Sequence, residues 1–175
     1  MMKKIINLTL FQAAWFAAVL GAPNDVPWLG PLVMVPVLAV HLSLTDDRQG
    51  ELKLLLAAGV LGFLYDTALV TAGVFSPLRH LVPHPLSPPW MIGLWMNFAA
   101  TLNVSMAWLR GRYLAAAVFG AIGGPLAYYS GAKLGATEAL PSLNGILVLA
   151  IGWALMTPLL VWLARVFAGR DGRKG

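Results

Sequence analysis

Six long apolar runs, separated by short polar connections, dominate the pattern of this chain. They fall at 5–22, 26–44, 52–75, 90–109, 113–136 and 143–167. A helix needs roughly 20 mostly apolar residues to cross a bilayer, and each run approaches that length. The pattern therefore predicts an all-α polytopic membrane protein with six transmembrane helices in one bundle. Pro31 and Pro36 interrupt the second run, which membrane helices tolerate where neighbours satisfy the freed carbonyls. Between the third and fourth runs, SPLRHLVPHPLSPP holds five prolines and predicts an extended loop rather than a helix. No linker or repeat divides the chain, so residues 1–175 read as a single integral-membrane domain.

Composition agrees with that pattern. Hydrophobic residues make up 59% of the chain and charged ones 11%, against about 25% charged in a soluble domain. Lipid has to cover the excess apolar surface. The absence of cysteine excludes disulfides and thiolate metal sites.

The net charge of +5 does not form a nucleic-acid stripe, because the basic residues cluster at the ends of the apolar runs. With the N-terminus inside, one side holds Lys3, Lys4, Arg48, Lys53, Arg110, Arg112, Arg165, Arg170, Arg173 and Lys174. The other holds Arg79 and Lys133. That asymmetry places both termini in the cytoplasm and fits an even number of spans. The basic start and apolar first run also have the outline of a secretory signal. Asn7, Gln12 and Trp15, with five further runs behind them, favour an uncleaved first helix.

Helical spacing then sorts the faces. In the third run Gly59, Gly62, Asp66 and Gly73 follow steps of three, four and seven, which puts the carboxylate on a small-residue face turned into the bundle. In the fifth, Gly120, Gly124, Gly131 and Gly135 form a similar stripe, with Tyr128 beside it. The two stripes predict that the fifth span docks on the third. Asn97, Thr101 and Ser105, four apart, predict a polar ridge on the fourth span.

The candidate chemistry centres on Asp66. An ionised acid in mid-membrane costs at least about 2.5–3.5 kcal/mol on insertion scales, so something must offset it. One reading has the acid binding a cation or protonated ligand, or shuttling a proton. The other has it held neutral, or hydrogen-bonded to Tyr128, Asn97 or Thr101. The Asn97/Thr101/Ser105 ridge reads either as ligand contact or as interhelical glue. His41 reads as an interfacial residue, and Lys133 and Glu138 as a rim pair. His80 and His84 have metal-pair spacing, but Pro83 and Pro85 forbid the helix that would align them. No metal or cofactor is expected, and no nucleophile elbow, zinc-protease motif or P-loop is present.

Several stretches carry a resemblance. WMIGLWMNFAATLNVSMAWLRGR and GAIGGPLAYYSGAKLGA, with QAAWFAAVLGA and GFLYDTALVTAGVF, resemble an uncharacterised bacterial inner-membrane family, the DUF2878 domain of unknown function. The resemblance spans essentially the whole chain and implies an inner-membrane location and a lipid-related context, without an activity. Gly62-x3-Asp66 and Gly73 are also similar to patterns in the substrate-binding components of energy-coupling-factor transporters and in the rod-shape-determining protein MreD. The Ala13-x3-Ala17 and Ala14-x3-Ala18 pairs of the first span are similar to the helix with which those transporters dock their transmembrane coupling subunit, which implies a partner-docking role for Ala13, Ala14, Ala17 and Ala18.

Three functions stay open. The leading one is a non-enzymatic component that binds a small molecule or lipid within the bilayer. The others are a scaffold or assembly subunit of a membrane complex, and a lipid-modifying enzyme using Asp66, Tyr128 or a histidine.

Overall fold

The computed structural model describes residues 1–78 and 82–168. Six α-helices follow one another: α1 Met2–Gly21, α2 Leu29–Leu44, α3 Arg48–Thr71, α4 Pro89–Leu102, α5 Tyr113–Lys133 and α6 Leu143–Ala168. A 3₁₀ turn at Ala107–Leu109 precedes α5. No strand occurs among the described residues. One isolated bridge joins Pro77 to Thr137, where the loops after α3 and α5 meet. Of the expected charges and ligands, Arg79, His80, Arg170, Arg173 and Lys174 lie outside the described residues.

Helix α4 is the axis. It packs on α1, α2, α3 and α6, and none of its residues is exposed. The surrounding helices turn large apolar side chains outward instead: Leu32 on α2, Val60 on α3, Ile122 on α5 and Ile151 on α6, each more than half exposed. The buried polar residues Asp66, Asn97, Thr101 and Thr157 lie inside. So many large apolar side chains turned outward is unlike the surface of a soluble protein. Three helices, α1, α3 and α6, are long and apolar enough to cross a membrane, and α2 is a shorter apolar helix.

Local chemistry sets several boundaries differently from the hydropathy pattern. Helix α3 begins at Arg48, ahead of the expected 52, because the Asp47 side chain accepts from Gly50 N at 2.8 Å and caps the first turn. It ends at Thr71 rather than 75. Gly73 adopts φ +68, while Gly73 N reaches Val70 O and Val74 N reaches Leu69 O. Gly135 closes α5 in the same way, at φ +87, with Gly135 N on Ala132 O and Ala136 N on Gly131 O. Both glycines are therefore left-handed helix terminators and not members of packing stripes.

The fourth run does not continue helically to 109. The Thr101 hydroxyl turns back onto Phe98 O, and Val104 N and Met106 N both fold onto Thr101 O. The helix stops at Leu102, so Ser105 lies in a turn and Asn97, Thr101 and Ser105 do not form the expected ridge.

The expected docking of the fifth span on the third is also corrected. Helix α5 packs on α6, and α3 on α4 and α6. A Cβ on Gly120 would overlap Thr157 and the Trp153 carbonyl of α6, and one on Gly124 would overlap the Trp153 indole. On α3, Gly59 faces Met96 and Gly62 lies under the Trp95 indole, both from α4. Gly131 is buried near Val19 and Ala136. Gly62 and Gly124 thus seat tryptophans rather than another glycine-lined helix.

Candidate functional site

Asp66, Trp95 and Tyr128 meet at one depth. Asp66 lies five residues before the end of α3, Trp95 six after the start of α4, and Tyr128 five before the end of α5. Those three termini share one end of the bundle, because successive helices run antiparallel. The fully buried Asp66 accepts from Trp95 Nε1 at 2.8 Å on one carboxylate oxygen and from the Tyr128 hydroxyl on the other. Two donors thus offset the desolvation of the acid. Asn97 and Thr101, the other expected partners, are engaged elsewhere.

Around this triad the aromatics lock together. Trp95 stacks on Trp153 with centroids 4.4 Å apart and planes 11° from parallel. Tyr65 meets Trp95 edge-on, Phe98 meets Trp153 edge-on, and Phe75 holds Tyr128 at 5.1 Å. Offset and edge-on aromatic pairs each add about 0.5–1.5 kcal/mol beyond their burial.

Asp66, Trp95, Phe98, Tyr128 and Trp153 line the back of a cavity of about 720 Å³. Helices α1 and α5 are its two sides, with Phe11 and Trp15 on one and Phe119 to Leu134 on the other. On α5 the lining extends from Phe119 to Lys133, about 21 Å at 1.5 Å per residue. The cavity is therefore an elongated cleft between helices, apolar over most of its length. Its polar side chains include Gln12 on α1 and Thr157 on α6 and, near the end where α5 finishes, Tyr129, Ser130, Lys133 and Thr137. Lys133 does not pair with Glu138 as expected; its ammonium lies 5.6 Å from the Tyr129 ring centre.

The remaining candidates serve the packing of α1 on α4. Asn97 donates to Phe11 O at 3.0 Å, Asn7 to Ala100 O at 3.0 Å, and Ser105 to Asn7 Oδ1 at 2.7 Å. Neither Asn97, Thr101 nor Ser105 lines the large cleft. Ala14 and Ala18 are buried within this chain, and Gly30 of α2 lies against Ala18. Of the four alanines, only Ala13 and Ala17 retain exposure.

A second polar cluster was not expected. His41 is buried, and its Nε2 lies 3.0 Å from Glu51 Oε2. The other Glu51 oxygen accepts from Asn103 at 2.7 Å, and Arg110 donates to Asn103 Oδ1 at 2.8 Å. This chain of contacts ties α2, α3 and the turn after α4 together at the end opposite Asp66. The expected interfacial histidine is thus a buried partner of an acid that hydropathy had assigned to a connection.

Trp95, Trp153 and Thr157 also escaped the sequence reading. A signal for Trp95 existed. Its indole is a donor only, and it lies as far from the shared end as Asp66 does.

An all-helical bundle with an apolar exterior, a few polar side chains buried in its core and three helices fit to cross a bilayer has the build of a helical membrane protein. The chain belongs to the family described as protein of unknown function (DUF2878), which matches residues 4–159. No curated protein and no solved structure matches it.

Proposed function

We propose that residues 1–175 form a single six-span domain of the bacterial inner membrane, with both termini cytoplasmic, and that it works without catalysis by holding an apolar or amphiphilic small molecule in its interhelical cleft. The observation that carries this reading is the cleft itself: about 720 Å³, elongated, aromatic, and braced at its back by a buried acid with two donors. Binding sites for small molecules are typically concave, mostly apolar and of 300–1,000 Å³.

The six-span topology has a physical basis despite short helices. Helix α4 has 14 residues, about 21 Å at 1.5 Å per residue, short of the roughly 30 Å hydrocarbon core. Being enclosed by protein, it needs no lipid-matched length. Its terminal turn at 103–106 is tolerated at membrane depth because neighbours satisfy its polar groups. The excess of positive charge at the end bearing Arg48, Lys53, Arg110 and Arg112 supports the cytoplasmic assignment.

The test is a thermal-stability screen of the purified protein against lipids and amphiphilic metabolites. At least one class should raise the unfolding midpoint, and Asp66→Asn, which weakens the brace behind the cleft, should reduce that rise. A broad screen that shifts nothing refutes the binding reading.

A further inference from the structure

The charged groups of the cleft are not equally committed. Both oxygens of Asp66, its only carboxylate, already accept, from Trp95 and from Tyr128. The Gln12 amide and the hydroxyls of Ser130, Thr137 and Thr157 in the lining can donate or accept, but one buried group can only donate. Trp90 lines the cleft, is 3% exposed, and its Nε1 has no hydrogen-bond partner. An indole nitrogen can only donate. The hydroxyl of Thr157, fully buried deeper in the cleft, also lacks a partner. Lys133 is the only Lys, Arg or His among the described lining residues.

These donors are also ordered along the cleft. Trp90 opens α4 and Lys133 closes α5, so both belong to the same end of the bundle. From there the lining on α5 runs inward past Ser130, Tyr129 and Tyr128, and then through glycines and apolar side chains to Phe119. A buried donor without an acceptor is unfavourable and is normally satisfied. The complementary molecule brings acceptors at one end and hydrocarbon along the rest.

We infer that the cleft takes a single-chain amphiphile with an anionic head, its head group at Lys133 and Trp90 and its chain directed along α5 toward Phe119. This rests on the cleft-binding reading above and narrows it. It assigns Asp66 to bracing the wall, since its oxygens are turned to this chain's own donors, and so excludes a cationic head as the preferred ligand.

Three probes that share one chain and differ in head charge test the inference: hexadecyl phosphate, hexadecanol and hexadecylamine. Each is titrated against the purified protein in a neutral detergent. Hexadecyl phosphate should bind tightest. Lys133→Gln should weaken it about tenfold, as expected for the loss of one charge-assisted contact, while leaving hexadecanol unchanged. Lys133→Arg should restore the phosphate affinity. Trp90→Phe, which keeps the ring and removes the N–H, should also weaken the phosphate.

If hexadecylamine binds as tightly as the phosphate, or if Lys133→Gln affects the phosphate and the alcohol equally, the head-group assignment is overturned and the cleft reading stands. If none of the three binds, both fall.

Discussion

Trp95 and Trp153 stack face to face, 4.4 Å between ring centres, and each is seated over a glycine of a neighbouring helix. Gly62 of α3 lies under Trp95, and Gly124 of α5 under Trp153. One pair of rings thereby connects α3, α4, α6 and α5, and its free edge forms the back of the cleft. The stack explains why a chain so rich in small residues does not collapse into a tightly packed bundle of glycine-lined helices: large rings occupy the spaces the glycines open.

Enlarging either seat should disturb the stack. Gly62→Val and Gly124→Val place side chains where the indoles lie, and overpacking of this kind typically costs about 1–3 kcal/mol. Both variants should unfold at lower temperature in detergent and lose near-ultraviolet circular dichroism. Gly73→Ala should behave differently. It meets no neighbouring atom and should cost only about 1–2 kcal/mol for the left-handed backbone, with the aromatic signal intact.

The brace at Asp66 makes a graded prediction. Asp66→Leu leaves the Trp95 and Tyr128 donors without an acceptor, at about 1–3 kcal/mol for each buried unsatisfied group. Asp66→Asn keeps one carbonyl acceptor and should be milder. Thermal midpoints should rank wild type, then Asn, then Leu. Equal midpoints for all three would show that the two hydrogen bonds contribute nothing.

At the opposite end, His41 and Glu51 form a buried contact 3.0 Å long. Removing one member leaves the other buried without its partner, which is strongly destabilising, by roughly 3–5 kcal/mol where the pair is ionised. Glu51→Leu should be the more damaging change, because Glu51 also accepts from Asn103. In a double-mutant cycle, His41→Leu and Glu51→Leu should be clearly non-additive.

The topology is open to direct labelling, since the chain has no cysteine of its own. Single cysteines replacing the exposed Asn24 and Ala139 should react with a membrane-impermeant maleimide from the periplasmic side. Those replacing the exposed Asp46 and Arg110 should react only after the inner membrane is opened. Labelling of Asn24→Cys and Asp46→Cys from the same side would contradict the six-span arrangement.

Hydropathy was sufficient to place all six helices, because apolar runs report burial in any low-dielectric surrounding. It could not place the end of α4: Trp108 and Leu109 keep the run apolar, while the break is made by Thr101 bonding to its own backbone. Spacing put Asp66 on an inward face with Gly59 and Gly62, as found. It also put Gly73 and Gly135 on packing stripes, because a small residue at helical spacing and a helix-ending glycine look alike without the backbone angle. Glu51 was missed because it lies in the first turn of α3, beside Arg48 and Lys53, where a charge reads as water-facing. The cleft was illegible because it depends on how far α1 stands from α5, and no local pattern encodes that separation.

The central claim is that the space between α1 and α5 admits a hydrocarbon chain. It is tested most directly by equilibrium binding of radiolabelled hexadecanol to the purified protein and to Ala127→Trp, which fills the middle of the cleft from α5. The account predicts saturable binding near one molecule per chain, weakened about tenfold or more in the variant while its thermal midpoint is retained, as for a site that excludes its ligand by volume. Binding that does not saturate, or that is the same in both proteins, would contradict it.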